Sequence, residues 1–353
     1  MTDASVRPFS LPLRSPLATA RGTIDRREGF LLRVEDGDHV GVGEATPLPG
    51  WTESREACRR ALDAACEALR ADGLETEFDE VDSELGDAEL GPAARHAVTL
   101  ACADLAARRA DRPLYRELGG TRRVESVPVN ATVGDADAGE TALAAESAAD
   151  AGFDCVKVKV GSRSVSADVE RLRAVREVVG LDVELRADAN GAWSRSQARE
   201  AFDALVDLDV RYVEQPLPAD DLAGHADLRG EPVGVALDES LAAHGVADVL
   251  AAGAADALVL KPMALGGVTV AHDGVVRAEQ AGVTPVVTTT IDAVVARTAA
   301  VHVAATVDDP VAMGLATADR LAEDLAPDPA PVADGRVVVP RAKGNGVAAC
   351  RWR

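Results

Sequence analysis

A repeat of short apolar runs, rich in β-branched residues, constrains the fold of this chain more than any other feature. Eight such runs begin 22 to 29 residues apart, from "VPVNATV" (127–133) to "VAMGLAT" (311–317). The stretches between them carry apolar residues at helical spacing, as in "SADVERLRAVREVV". Alternating strands and helices predict an α/β fold with a parallel sheet. Eight near-regular units favour a closed barrel over the alternative, an open doubly wound sheet.

The rest of the chain has a different pattern. "GFLLRVEDGDHVGVGEATPL" predicts two strands joined by a turn at "EDGD". "SREACRRALDAACEALRAD" and "PAARHAVTLACADLAARRAD" predict two alanine-rich helices. We therefore predict an α+β capping domain over residues 1–125 and the barrel over residues 126–320. A tail, residues 321–353, is predicted to pack back on the capping domain and contains the strand candidate "GRVVVP".

Composition limits the partners and the compartment. A formal net charge of −22 repels nucleic acid and anionic membrane surfaces, so neither is expected as a partner. No apolar run approaches the length of a membrane span, and the N-terminus lacks the apolar core of a signal peptide, so we expect a cytoplasmic protein. The five cysteines are scattered and predict reduced, buried thiols. The acidic, lysine-poor composition resembles that of salt-in halophiles.

Ionisable side chains end five successive strand candidates, the second to the sixth. The chain contains four lysines, and two of them lie two residues apart in "FDCVKVKVG". Lysine can lose its proton and act as a base, whereas arginine effectively cannot, so a lysine kept in an arginine-rich chain indicates proton chemistry. In chain order the strand-end groups are Lys157 and Lys159, Asp188, Glu214, Asp238 and Lys261.

The three carboxylates are expected to converge, because the catalytic groups of a barrel lie at the carboxyl ends of its strands. Three converging negative charges need a cation, and ligands that are all oxygen suit a hard divalent ion. We predict Mg²⁺, with Mn²⁺ as the alternative, bound by Asp188, Glu214 and Asp238. Asn190, on the same strand face as Asp188, is expected to support the site, and Glu239 is expected to point away from it.

The lysines are expected to flank this metal from opposite walls of the barrel. Lys157 and Lys159 point the same way because side chains alternate along a strand. The metal would hold a carboxylate of a small-molecule substrate, and Lys159 would take the proton from the neighbouring carbon. Lys261 faces it across the site.

The motifs in this order resemble one protein family. "KVK", "DANGAW", "VEQPL", "LDES" and "LKPMALGG" are similar to those of the enolase superfamily, and specifically of its muconate-lactonizing subgroup. The resemblance covers nearly the whole chain and implies a (β/α)₇β barrel with a capping domain. It implies Mg²⁺ ligands at Asp188, Glu214 and Asp238, an acid–base pair at Lys159 and Lys261, and a supporting role for Lys157.

The resemblance also carries an expectation about the reaction. "GEATPLPGWTES" is similar to the corresponding stretch of o-succinylbenzoate synthases. It implies a carbon–oxygen lyase that dehydrates 2-succinyl-6-hydroxy-2,4-cyclohexadiene-1-carboxylate to o-succinylbenzoate in menaquinone biosynthesis. The alternatives on the same site are an N-acylamino-acid racemase, a dipeptide epimerase or a cycloisomerase. Dipeptide epimerases of this subgroup hold the substrate ammonium with an Asp-x-Asp pair at the eighth strand, where this chain has "MGLAT".

A few further residues are candidates for substrate contact. Arg21, in a candidate lid segment over residues 14–29, would meet a substrate carboxylate, although it is equally explained as a surface charge paired with nearby acids. Gly266 and Gly267 would let the backbone approach the substrate, although both are equally explained as turn glycines. A barrel kept as a binding module without catalysis is the third alternative, and the sequence leaves the oligomeric state open.

Overall fold

The structure, a computed structural model, describes residues 2–19, 22–72, 90–230 and 232–348. An antiparallel sheet of three strands opens the chain: β1 (Thr2–Thr19), β2 (Gly22–Asp36) and β3 (His39–Ala45). The turn predicted at "EDGD" is confirmed, because Asp36 pairs with His39 and Gly37 takes the left-handed φ of 58° that a two-residue turn requires. The long strand β1 was not predicted.

Two helices cover one face of this sheet, and both were predicted: α1 (Arg55–Asp72) and α2 (Pro92–Arg109). Their alanine-rich faces allow a close approach to the strands. A side chain at Gly43 of β3 would collide with the backbone carbonyl of Ala97, so glycine on one element and alanine on the other set the spacing. These elements enclose an apolar core of their own.

The barrel follows as a sheet of seven parallel strands in which chain neighbours are also spatial neighbours. The short strand β4 (Ser126–Pro128) precedes it. The seven strands are β5 (Ala131–Val133), β6 (Cys155–Lys159), β7 (Glu184–Asp188), β8 (Val210–Glu214), β9 (Gly234–Leu237), β10 (Ala257–Leu260) and β11 (Thr284–Val287). Their buried side chains form the main apolar core. The predicted α/β barrel is confirmed.

Helices join successive strands and form the outer layer. Before the barrel lies α3 (Leu114–Glu117). The helices of the barrel are α4 (Ala138–Asp150), α5 (Val165–Val179), α6 (Arg195–Leu205), α7 (Leu222–Leu228), α8 (Glu239–Ala251), α9 (Pro262–Leu265), α10 (Val268–Gln280) and α11 (Val294–Ala304). Several begin at side-chain caps. Ser194, for example, accepts a hydrogen bond from the backbone N–H of Gln197, whose side chain completes a capping box.

The eighth predicted strand closes the barrel through a few backbone contacts rather than a full ladder. Met313 bridges to Val129, and Gly314 bridges to Thr288, which directly follows β11. A side chain at Gly314 would lie 2.8 Å from the Cβ of Thr288, so the absence of a side chain permits this approach. The first predicted strand, residues 127–133, is split between β4 and β5, and only β5 belongs to the barrel sheet.

The tail returns along the molecule through two strands, β12 (Val332–Ala333) and β13 (Arg336–Val338). β13, predicted from "GRVVVP", pairs with β4. Further on, the backbone N–H of Asn345 donates to Asp104 of α2 at 2.6 Å, which ties the tail to the N-terminal domain. The domain boundaries at residues 125 and 320 stay predictions. Within the described residues, helices long and apolar enough to cross a bilayer are absent.

A buried carboxylate fastens the N-terminal domain to the barrel. Glu44 of β3 accepts hydrogen bonds from the backbone N–H groups of Ala293 (2.8 Å) and Ala296 (2.9 Å) at the start of α11. These are N–H groups that a helix leaves without internal partners. Burial, together with the charge of Asp292, raises the pKa of Glu44 to about 7.

A buried histidine joins three parts of the chain. His302 on α11 accepts a hydrogen bond from the Tyr115 backbone N–H at its Nδ1 (3.3 Å). Its Nε2 lies 3.2 Å from the carbonyl of Asn345 in the tail, to which it donates. The Tyr115 ring stacks on the imidazole with centroids 6.0 Å apart. Burial lowers the pKa of His302 from 6.5 to about 4, so protonation works against the folded state.

His302→Gln is expected to lower the free energy of unfolding by about 1–3 kcal/mol above pH 6.5, where the neutral imidazole makes both contacts. A histidine with a depressed folded pKa contributes stability that is lost as the pH falls from 6.5 toward 4. The difference between wild type and variant should therefore shrink over that interval. Urea unfolding at pH 7.5, 6 and 5 measures it, with His39→Gln as control. A difference independent of pH would contradict the assignment.

Candidate active site

Strand register brings the first predicted site residues together. Lys159 pairs with Asp188, and Asp188 pairs with Glu214, so the three lie side by side at the carboxyl ends of β6, β7 and β8. Lys159 Nζ donates to Asp188 Oδ2 at 2.6 Å. The side chains of Asp188 and Glu214 are buried, whereas that of Lys159 is 36% exposed and reachable from outside. Strand register thus places Lys159, Asp188 and Glu214 together at one edge of the sheet.

Lys157 lies one layer deeper and bridges two carboxylates. Its Nζ is 2.6 Å from Glu214 Oε2 and 3.1 Å from Asp188 Oδ2. Burial lowers the pKa of Lys157, but the charges of Glu214 and Asp188 outweigh it and hold the pKa well above its usual value. Lys157 is therefore a fixed cation beneath the site.

The pKa values of the three carboxylates are shifted in different directions. Burial, together with the charge of Asp188, raises the pKa of Glu214 to about 7. Burial also raises the pKa of Asp238, to about 6, although the adjacent Lys261 opposes the shift. For Asp188 burial is outweighed by Lys159 and Lys157, which hold its pKa below the usual range. Crowded, buried negative charge of this kind is stabilised by cations.

Asp238 and Lys261 form the opposite wall. Lys261 directly follows β10, and its Nζ donates to Asp238 Oδ2 at 2.5 Å. The Nζ also lies 3.6 Å from the ring centroid of Trp51, a cation–π contact with a loop of the N-terminal domain. The Lys261 side chain is only 13% exposed. Trp51 was not singled out from the sequence.

Asn190 and Glu239 extend the site. Asn190 Oδ1 accepts from Lys159 Nζ at 2.9 Å, and its Nδ2 donates to Glu239 Oε1 at 3.0 Å. The prediction that Glu239 points away was wrong, because α8 begins at Glu239 and strand alternation stops there. Asn190 makes these contacts from a turn with a positive φ of 45° rather than from an extended strand, and its supporting role in the site stays a prediction.

Gln215 is a supporting residue that the sequence reading missed. It directly follows Glu214, is fully buried and has a positive φ of 42°. Its Oε1 accepts from the backbone N–H groups of Asp238 (3.1 Å) and Ser240 (3.2 Å), which fixes the turn that presents Asp238. A polar residue between a strand-end acid and a proline, as in "VEQPL", is the signal that could have identified it.

The remaining predicted residues lie elsewhere or outside the described part. Arg21 falls outside the described residues. A side chain at Gly267 would meet Thr99 Oγ1 at 2.6 Å, and one at Gly266 would meet the Arg95 side chain at 3.3 Å. At both glycines the side-chain direction therefore points at α2 of the N-terminal domain, so their small size permits the contact between the domains. The approach of their backbone to a substrate stays a prediction.

The barrel also has a cavity of about 240 Å³ at its opposite end, where the strands begin. It is lined by residues that include Arg186, Glu184 and Tyr212. Arg186 is buried, donates to Glu184 at 2.5 Å and stacks on the Tyr212 ring at 4.9 Å. These groups are paired with one another, and the lysines lie at the other end, so we do not place the active site here.

The carboxylate cluster has the chemistry of a hard-metal site. In the described part of the chain, the His, Cys, Asp and Glu side chains do not form a group of three or more placed to hold a metal ion. Lysine ammonium groups lie against the carboxylates of the cluster. Two buried oxygens, Asp238 Oδ1 and Glu239 Oε2, have no hydrogen-bond partner. The all-oxygen donor set and these unpartnered oxygens fit a divalent cation.

Fold and site together define a (β/α) barrel protein with facing lysines around a buried carboxylate cluster. Residues 140–351, more than half of the chain, match the family model "Enolase C-terminal domain-like", and residues 1–85 match "MenC, N-terminal domain". The chain belongs to the enolase superfamily.

Three relatives show which enzymes of that family this chain is similar to in sequence. The hydrophobic dipeptide epimerase of Enterococcus faecalis is 31% identical over 74% of this chain and 75% of its own length. The N-succinyl-L-Arg/Lys racemase of Bacillus cereus is 30% identical over 83% and 81%. The chloromuconate cycloisomerase of Delftia acidovorans is 30% identical over 96% and 93%.

Solved structures of the first two enzymes share the fold. The Enterococcus epimerase, in complex with Mg and the dipeptide L-Leu-L-Tyr, superposes with a TM-score of 0.88 at 27% identity, covering 98% of this chain and 99% of that one. The Bacillus racemase superposes with a TM-score of 0.90 at 26% identity, covering 98% and 95%. The expectation of a carbon–oxygen lyase is wrong, because these relatives are an epimerase, a racemase and a cycloisomerase rather than lyases.

Proposed function

We propose that this protein is a Mg²⁺-dependent racemase or epimerase that removes and returns the proton on the carbon next to a substrate carboxylate. The substrate we propose is an N-acylated amino acid. The observation that carries the proposal is the pair of lysines, Lys159 and Lys261, each bonded to a different carboxylate of one buried cluster.

The two lysines approach that cluster from opposite walls. β6 and β10 are separated by β7, β8 and β9 in the sheet, so they lie four positions apart in a barrel of eight units. Such strands face each other across the barrel axis. A substrate carbon held between them would meet one amine on each face. Inversion at carbon requires a proton to leave one face and another to arrive on the opposite face.

The carboxylates Asp188, Glu214 and Asp238 would hold the metal, which supplies positive charge against the substrate carboxylate as its neighbouring C–H bond weakens. Lys159 Nζ takes the α-proton from one face, and the electron pair of that bond stays on the substrate. Lys261 Nζ then donates a proton to the opposite face, and the roles reverse for the other enantiomer. Lys157 and Asn190 hold Asp188 and Lys159 in place.

The amino group of the substrate decides between an acylated amino acid and a dipeptide. The closing segment of the barrel, "MGLAT" (313–317), carries no acid that could pair with a free ammonium. An acylated nitrogen is uncharged and needs no such partner. The similarity to an N-succinyl amino acid racemase over 83% of the chain supports the same substrate class.

A substrate panel tests the proposal. Purified protein with Mg²⁺ is given single enantiomers of N-succinyl and N-acetyl amino acids, and optical rotation is followed over a range of salt concentrations. Dipeptides and muconate serve as comparison substrates. Metal-dependent loss of rotation with the acylated substrates, abolished by EDTA, is the expected result. Turnover of muconate alone would favour a cycloisomerase, and turnover of dipeptides alone would contradict the proposed substrate class.

A further inference from the structure

The indole of Trp51 covers one of the two lysines and not the other. Lys261 Nζ lies 3.6 Å from the ring centroid of Trp51. The structure assigns Trp51 as a positioning residue for Lys261, and thereby as the residue that sets proton transfer on one face of the substrate. The assignment rests on the proposed two-lysine function and adds to it an asymmetry between the two faces.

Trp51 is held on a turn with little freedom. The backbone N–H groups of Trp51 and Thr52 both donate to the carbonyl of Leu48 at 3.0 Å, and the Leu48 N–H donates to the Thr52 hydroxyl at 2.9 Å. Gly50 provides the left-handed φ of 99° that the turn needs. Just beyond the turn, the Glu53 carboxylate accepts from two backbone N–H groups at the start of α2, at 3.0 and 2.8 Å. These hydrogen bonds therefore hold in place the turn that carries the indole.

The segment that contains Lys261 packs against the same part of the N-terminal domain. Two residues after Lys261, Met263 Sδ accepts from the backbone N–H of Thr46, at the base of the Trp51 loop, at 3.5 Å. A few residues later Gly267 packs against Thr99 of α2. The Trp51 loop and the Lys261 segment therefore both pack on α2 and the end of β3. The separation between ring and ammonium is set by the packing of whole elements.

The two lysines are held in different ways as a result. Lys159 Nζ has two oxygen acceptors, Asp188 and Asn190, and its side chain is 36% exposed. Lys261 Nζ has one carboxylate partner, Asp238, and its second neighbour is the face of the indole. An aromatic face attracts an ammonium without fixing the direction of its N–H bonds. Trp51 therefore restricts the position of a long, flexible side chain while leaving its donors free to turn toward a substrate.

Exchange of the α-proton in D₂O, measured by ¹H NMR separately for each enantiomer, tests the assignment. The Lys261→Ala variant first identifies the enantiomer whose exchange depends on Lys261. Trp51→Leu, which removes the aromatic face, is expected to slow exchange of that enantiomer by about tenfold and to leave the other within about twofold. Trp51→Phe keeps an aromatic face and should restore most of the rate. Equal slowing of both enantiomers, or a change in KM alone, would overturn the assignment.

A second measurement does not depend on activity or on bound metal. The chain has four lysines, so a protein labelled with ¹³C at the lysine ε-carbon gives four ε-methylene signals, assigned by Lys→Arg variants. The Lys261 signal should be shifted upfield by the Trp51 ring current and should move back in Trp51→Leu, with the other three unchanged. An unshifted Lys261 signal would overturn the assignment. If wild type exchanges neither enantiomer, the racemase proposal fails while these spectra still decide the contact.

Discussion

Replacing Lys159 by arginine is expected to lower the rate of racemisation by about a thousandfold or more while leaving the fold intact. Arginine keeps the positive charge beside Asp188 but effectively cannot release a proton, so the variant separates charge from base chemistry. The side chain is more than a third exposed, and its replacement should not disturb the core. Initial rates with each enantiomer and a thermal melt measure the two effects.

The chain offers a matched control for this substitution. Lys343, in the tail, is 57% exposed, and its Nζ lies 3.7 Å from Asp111. Lys343→Arg should keep the rate within about twofold of wild type, since exposed ion pairs contribute little. A Lys159→Arg variant with most of the wild-type rate would show that the side chain at this position does not act as a base.

Replacing Glu214 by glutamine is expected to abolish metal binding and yet to stabilise the metal-free protein, or leave its stability unchanged. Glu214 is buried beside Asp188, and burial and that neighbouring charge both disfavour its ionised form. Removing the charge relieves this cost, by about 1–3 kcal/mol, although Lys157 loses its nearest partner and retains only Asp188 at 3.1 Å. In the Mg²⁺-bound protein, the same carboxylate would be a metal ligand.

Thermal melts with and without Mg²⁺ separate the two effects. Wild type should gain in melting temperature on addition of Mg²⁺ because a ligand that binds only the folded state stabilises it, and the Glu214→Gln variant should not. Glu170→Gln, at an exposed position on α5, is the control and should behave as wild type. A variant that is less stable without metal but still responds to Mg²⁺ would remove Glu214 from the ligand set.

The barrel and the central residues were predictable because they depend on local periodicity. Strand-end positions share one edge of a parallel sheet whatever the details of packing, so a lysine or acid that ends an apolar run can be placed without a structure. The placement of Lys159 and Asp188 could be predicted from the strand pattern and the register that follows from it. The same reasoning failed at Glu239, where a helix replaces the strand and successive side chains turn by about 100° instead of alternating.

Contacts between distant segments could not be predicted in this way. Trp51 meets Lys261 because a turn of the N-terminal domain and the end of β10 pack on the same helix, and no periodic pattern links the two positions. The contact that Gly267 makes could not be predicted for the same reason. The sequence identifies a glycine that tolerates a close neighbour, but only the structure shows that Thr99 of α2 is such a neighbour.

The measurement that tests the central claim most directly is α-proton exchange in D₂O for the variants Lys159→Ala and Lys261→Ala, with each enantiomer of a substrate that the panel identifies. Two bases on opposite faces predict a reciprocal result, in which each variant loses exchange of one enantiomer, keeps exchange of the other and no longer inverts either. If one variant loses exchange of both enantiomers and the other loses neither, a single lysine does the chemistry, and the two-base account is contradicted.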